Sequence, residues 1–261
     1  MKQYFEQLEK EGYTILPEVV SHEYLDRLTA PLSEAFELHR SIQVKNKVEI
    51  ETNGVALHIL GTHHDYVDFL NKLNDFGIID HLRYDFFGSK FILNSFSALS
   101  TVPYADNFAA IVHRDIRFFS GSLNMMLNML VMLDDFTEEN GATLLLPYAH
   151  LKEEKPTDEY FHANAVKAIG KKGSILLFNS NVWHAAGKNH TGKERRAMPL
   201  TFSKPFMKQQ MDYCKAIGYD KVRNYNETLK QLLGYYSRVP SNMDEFYTVK
   251  EERFYKKDQD L

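Results

Sequence analysis

The sequence predicts a mainly β fold with flanking helices, and three observations carry that reading. From Lys90 to residue 203, short apolar runs recur between turn signals, which suits a sandwich or barrel. Before residue 85 and after residue 206 the apolar spacing becomes helical. Aromatic residues make up 13% of the 261-residue chain, with 18 Phe and 15 Tyr, and such side chains favour strands and cores.

Taken in order, residues 1–12 read as a short polar helix and Tyr13–Pro17 as a strand. Ser21 is placed to cap a helix over about 22–40, with Leu25, Leu28, Leu32 and Phe36 on one face. Residues 47–60 look extended, interrupted by Asn53-Gly54, a hairpin signal. A helical stretch follows over about 64–85. Strands are expected at Phe91–Ser97, Leu123–Leu133, Thr143–Leu146 and Ser174–Phe178. Another spans 196–203, where Pro199 implies an edge position or a bulge. Residues 150–170 are charged, contain Pro156 and read as a mobile excursion, with 151–166 as a possible lid. Helices close the pattern near 206–217 and 222–235, before a charged tail from Lys250. No repeat, linker or low-complexity segment interrupts the chain. One domain over 1–261 is expected, with a β core at about 91–204 and helical additions at 1–85 and 206–240.

Composition narrows the function. The net charge is −4 with 25% charged residues, which offers no basic footprint for nucleic acid. No run of about 18 apolar residues could span a membrane. The first residues, with Lys2, Glu6, Glu9, Lys10 and Glu11, do not resemble a signal sequence. The one cysteine, Cys214, forms no disulfide framework and reads as a small buried hydrophobe, so the cytoplasm is the expected location. The partner expected is a small-molecule substrate, and nothing in the sequence reads out an oligomeric state.

The residues that carry chemistry lie in the second half. In a strand, His113 and Asp115 would share one face while Arg114 points away. A third ligand is needed, and His184, behind the apolar run 174–178, is the best placed. Two imidazoles and a carboxylate can hold an octahedral Fe(II) and leave positions open. His63-His64-Asp65 is a rival cluster, but adjacent residues at a helix start diverge. Arg195 or Arg196, by alternation only one of them, would face the same interior, where a guanidinium fork suits the distal carboxylate of a 2-oxo acid. Asn128, in the row Met126, Asn128, Leu130, Met132, is an amide needing a partner: a nearby backbone group, or a cofactor or substrate.

Joined in this order, the motifs resemble the phytanoyl-CoA dioxygenase family of Fe(II)- and 2-oxoglutarate-dependent oxygenases. The resemblance runs from about 91 to 204. It rests on His113-Arg114-Asp115, Asn128 through Asp134-Asp135, Thr137-Glu138-Glu139-Asn140-Gly141, Pro147-Tyr148-Ala149-His150, Trp183-His184 and Arg195-Arg196-Ala197. It implies a double-stranded β-helix (jelly-roll, cupin-like) core. It also implies His113, Asp115 and His184 as ligands of Fe(2+), and Arg195 as the residue gripping 2-oxoglutarate. Asn128, and more distantly Asn94, would help bind that co-substrate. His150 belongs to a turn motif. Arg114, Leu130 and Tyr148-Ala149 depart from the family's usual residues, so its acyl-CoA substrate is not carried over.

The resemblance further implies a reaction consuming O2 and 2-oxoglutarate and releasing succinate and CO2. Hydroxylation of a small polar metabolite is the expectation, and Asp115 favours it over halogenation. Desaturation, cyclisation, epimerisation, or a non-catalytic jelly-roll binding protein are the alternatives. Strand alternation would bring Arg117 to the metal-facing side as a contact for an anionic substrate, and Tyr104 would line the entrance.

Overall fold

A computed structural model describes residues 1–48, 54–104 and 110–259. Helix α1 (Lys2–Glu11) ends at Gly12, whose φ of 87° and N–H bond to the Leu8 carbonyl form a left-handed cap. A side chain there would also collide with His150, since a Cβ would lie 2.4 Å from its Nδ1. The chain turns into β1 (Tyr13–Leu16) and then α2 (His22–Thr29), capped by Ser21 as expected. The predicted helix over 22–40 is two helices, because Pro31 has no N–H to continue the ladder and α3 (Leu32–Lys45) starts after it. Asn53 lies outside the described residues; the following pair, β2 (Val55–Ala56), is a short strand.

The stretch over 64–85 is likewise divided. Helix α4 (His64–Asp75) stops before Gly77, which adopts φ 72°, and α5 (Ile78–His81) runs on into a π-turn at Leu82–Phe87. Two strands follow, β3 (Ile92–Phe96) and β4 (Ala98–Thr101), where one was expected. Next come β5 (Met126–Met132) and β6 (Leu144–Leu145). The excursion expected at 150–170 is ordered. Thr157 caps α6 (Asp158–Asn164), Phe161 is fully buried, and β7 (Val166–Lys167) pairs with β6. The β8 strand (Ile175–Asn179), the two-residue β9 (His184–Ala185) and the long β10 (Arg195–Ser203) complete the sheets. Short helices α7 (Tyr213–Ile217), α8 (Tyr219–Arg223) and α9 (Glu227–Leu232) follow. The charged tail folds back, with the Lys90 N–H bonded to the Gln259 carbonyl.

The pairing is antiparallel throughout. One sheet has seven strands in the order β1-β8-β5-β10-β4-β2, with β3 also on β10; the other has three, β7-β6-β9. Pro199 therefore lies in an inner strand. Its carbonyl accepts from the Ser97 N–H at the junction of β3 and β4, so its missing donor meets a break in the ladder and not a continuous neighbour.

Alternation along β5 sorts the interior. Leu127, Met129 and Val131 pack with the helices in the larger apolar cluster. Leu130 and Met132 face the smaller sheet, meeting Phe136, Leu145 and Phe178 in a second cluster. Asn128 is on this second face, which is the face that holds the site. No helix among the described residues is long and apolar enough to cross a membrane.

Candidate metal centre

His113 and His184 exchange both backbone hydrogen bonds, 3.0 Å from the His113 N–H and 2.9 Å from the His184 N–H. This isolated bridge ties an irregular segment to the edge of the small sheet and sets the two rings 4.3 Å apart. The strand expected through Asp115 does not form; the chain turns at residues 115–118. Asp115 still reaches both histidines. Its Oδ1 lies 3.5 Å from His113 Nε2 and its Oδ2 3.5 Å from His184 Nε2.

Both imidazoles are held in the tautomer a metal requires. His113 Nδ1 sits 2.7 Å from the Ile111 carbonyl and His184 Nδ1 3.0 Å from the Val182 carbonyl. A carbonyl only accepts, so Nδ1 carries the proton and Nε2 offers its lone pair. The ligand atoms of His113, Asp115 and His184 lie within 4.8 Å of one another. Two neutral nitrogens and one carboxylate oxygen on one side of a cavity fit a facial triad for Fe(II).

The charges are interdependent. Burial pulls the His184 imidazole down, and the nearby Asp115 carboxylate only partly opposes it. Burial also depresses His113, but the hydrogen bond and charge of Asp115 outweigh it and the net shift is upward. Burial would raise Asp115, yet the two histidines and an Asn128 hydrogen bond bring its carboxyl below the usual range. Asp115 is therefore an anion ready for a cation.

Asn128 does not bond a backbone group, and its amide is already taken up within the protein. Its Nδ2 donates to Asp115 Oδ2 at 2.7 Å and its Oδ1 accepts from Thr201 Oγ1 at 3.0 Å. Asn128 also lines the cavity, so its amide orients Asp115 from within the site. Asn94 needs a fuller correction. The register between β3 and β10 shifts at this point, pairing Thr201 with Ser95 and Phe202 with Leu93. Asn94 is the bulged residue, and its amide donates to Ser203 Oγ and the Lys208 carbonyl. Ser95, not Asn94, lines the cavity.

The two arginines of β10 separate by alternation. Arg196 forms a two-pronged ion pair with Asp134, at 3.0 Å and 2.7 Å. Arg195 is 3% exposed and lines the cavity. Its Nη2 donates to the Gly141 carbonyl at 2.6 Å, its guanidinium lies 4.1 Å over the Phe136 ring, and its buried Nε has no partner. Burial pushes its pKa down to about 10. A buried cation with an unsatisfied donor suits an incoming carboxylate.

The cavity that these residues line measures about 530 Å³. Thr101, paired with Arg195 across β4, and Thr143 also line it; neither was singled out from sequence. Arg117 reaches the cavity without the expected strand, from a left-handed backbone at φ 62°. Tyr104 is 76% exposed, and the cavity wall, as far as the described residues define it, does not include it. Arg114 also contributes to the cavity lining, but its guanidinium is engaged elsewhere. It stacks 4.1 Å over Trp183 and donates to the Lys152 and Glu153 carbonyls at 3.0 Å and 2.7 Å, pinning the segment expected to act as a lid. His150 lies apart, its Nε2 bonded to the Glu9 carbonyl.

The rival cluster also gathers, contrary to the expected divergence: His63, His64 and Asp65 offer ligand atoms within 4.8 Å. Its groups have other work. Arg27 binds Asp65 Oδ1 at 2.5 Å, and His63 Nδ1 accepts the Asp65 N–H as a helix cap.

Comparison with known proteins accords with this geometry. The sequence profile of the phytanoyl-CoA dioxygenase (PhyH) family matches residues 8–197. An uncharacterized protein of Mycobacterium tuberculosis is 42% identical over 170 residues, 65% of this chain and 61% of that protein. The dioxygenase trt7 of Aspergillus terreus is 28% identical over 213 residues, covering 77% of this chain and 72% of that enzyme. The crystal structure of AviO1 from Streptomyces viridochromogenes superposes with a TM-score of 0.58 at 17% identity, over 78% of this chain and 95% of that one. At that identity the likeness is one of fold.

Proposed function

Since the chain belongs to the phytanoyl-CoA dioxygenase family, we propose that it is an Fe(II)- and 2-oxoglutarate-dependent dioxygenase acting on a small molecule. One observation carries the reading. Two Nε2 lone pairs and one Asn128-oriented carboxylate converge in a cavity that also contains a buried guanidinium with a free donor. The two sheets would form the double-stranded β-helix core of one oxygenase domain, and the cytoplasm remains the expected location.

In this reading His113, Asp115 and His184 would hold the iron, which when bound would supply O2 activation coupled to decarboxylation of the co-substrate. Arg195, in a cavity that Thr101 and Thr143 also line, would bind the far carboxylate of 2-oxoglutarate. Phe136 stacks on the Arg195 guanidinium. Asn128 orients the Asp115 carboxylate, and the Ile111 and Val182 carbonyls hold the proton of each imidazole on Nδ1, leaving Nε2 free. The overall change is hydroxylation: R–H, O2 and 2-oxoglutarate give R–OH, succinate and CO2. Desaturation, cyclisation or epimerisation would use the same residues. The intact set of four chemical residues argues against a non-catalytic binding protein.

The test is succinate formation. Protein reconstituted with Fe(II) should convert 2-oxoglutarate to succinate slowly without substrate and faster with one. His184→Ala should lose both. Succinate formation that persists in His184→Ala, or none in iron-loaded protein, would overturn the proposal.

A further inference from the structure

The oxygenase reading leaves a second arginine, Arg117, unassigned, and it lines the same cavity. Along β5 the site-facing residues run Met126, Asn128, Leu130. At the Leu130 end, β10 contributes Ala197, opposite Met132, and then Arg195. At the Met126 end it contributes Ser203, opposite Met126. Asn128, between them, marks the level of Asp115.

Arg117 comes from the loop after Asp115. It follows Asp115 by two residues, in the loop that runs on through Ser120 and Leu123 into Met126, and it lines the cavity. Gln210 also lines the cavity, from the segment after β10, its N–H fixed on the Asn94 carbonyl at 3.2 Å. Among the described residues no carboxylate lies within ion-pair distance of Arg117. Its backbone occupies the left-handed region, which a long side chain rarely adopts. Such conformations persist where surrounding structure imposes them and cluster at ligand sites. Much of the remaining lining is apolar, with Val55, Leu57, Leu99, Met126 and Pro199 set among the hydroxyls of Ser95, Ser97 and Thr201.

We propose that the substrate is an organic anion with an apolar body, its charged head held by Arg117 and Gln210 and its body laid along Leu57, Met126 and Pro199 toward the metal ligands. This rests on the oxygenase reading and sharpens it. The two arginines line one cavity with the His113, Asp115 and His184 triad and take different acids, the co-substrate on the buried one and the substrate on the exposed one. A polar metabolite without an apolar portion would leave that wall uncovered, so the expectation of a small polar substrate shifts to an amphiphilic one. The cavity volume, about 530 Å³, is in the range of small-molecule sites, roughly 300–1,000 Å³, and exceeds what a five-carbon diacid fills.

The experiment is calorimetric titration of the anaerobic Fe(II) protein, saturated with 2-oxoglutarate so that Arg195 is occupied. The probes are octanoate, octan-1-ol and octylamine, which share a body and differ in head group. Octanoate should bind at least about tenfold more tightly than the alcohol, and octylamine most weakly. Arg117→Gln should remove the octanoate preference and leave octanol binding unchanged, while Arg117→Lys keeps part of it. Equal binding of octanoate and octanol, or a preference that survives in Arg117→Gln, would overturn the inference. The prior binding of 2-oxoglutarate separates the two failures. If it binds and the octanoate preference ignores Arg117, only this inference falls; if it does not bind, the oxygenase reading falls first.

Discussion

Asn128 donates its amide to the Asp115 carboxylate at 2.7 Å, joining a fully buried strand to an irregular loop. Thr201 on the adjacent strand holds the same amide through its Oδ1 at 3.0 Å. The loop carrying Asp115 forms no ladder of its own, so this contact fixes where the carboxylate points. Asn128→Leu should therefore lower metal affinity about 10- to 100-fold, the effect typical of losing a partner that orients a metal ligand. Titration with Co(II) or Fe(II) measures it, and unchanged affinity would remove the orienting role.

Arg195 and Arg196 should respond in opposite ways. Arg195→Gln removes a buried cation that two or more hydrogen bonds would engage, each worth about 1.5–3 kcal/mol. Binding of 2-oxoglutarate should weaken by at least tenfold, with folding little changed. Arg196→Gln breaks the pair with Asp134, so the unfolding temperature should fall while 2-oxoglutarate affinity stays. Equilibrium dialysis and thermal unfolding on both variants distinguish them.

Arg114 is expected to be structural. Its planar group stacks on Trp183 and bonds two successive carbonyls of residues 152 and 153. Lysine cannot reproduce that fork. Arg114→Lys should increase proteolytic cleavage within 151–157, whether or not co-substrate is present. Cleavage that depends on 2-oxoglutarate in the wild-type protein would instead support a moving lid.

His150 gives the chain part of its acid sensitivity. Burial pushes its imidazole below the ordinary histidine range, so below about pH 6.5 the unfolded chain binds this proton more readily than the folded one. Stability is present above that range and is lost as the pH falls through it. Urea midpoints of metal-free protein at pH 7.5 and pH 5.5 should differ less in His150→Asn than in the wild type. His39 and His58 are depressed by burial too, so some slope should remain.

Much of the site could be read in the sequence, and the misses have physical causes. His113, Asp115 and His184 come together as expected, but through an isolated bridge and a turn, not a shared strand face. Arg117 reaches the cavity by a left-handed backbone that nothing in Ile116-Arg117-Phe118 announces, because such residues disfavour it. The choice between Arg195 and Arg196 needs the facing of β10, which Pro199 obscures by suggesting an edge. Asn94, offered by the resemblance alone, falls at a β-bulge that turns its amide to Ser203 and Lys208, which the sequence does not reveal. Helix α6 had a readable start, Thr157 followed by Asp158 and Glu159, hidden by the charge density around it. Pro31 was equally readable as a helix break.

The most direct measurement is an anaerobic Fe(II) titration in the presence of 2-oxoglutarate, followed by the visible charge-transfer absorption of the chelated co-substrate. The account predicts a band that saturates at one equivalent of iron per chain and is absent in Asp115→Ala and His184→Ala. A band that never forms, or that persists undiminished in either variant, would contradict it.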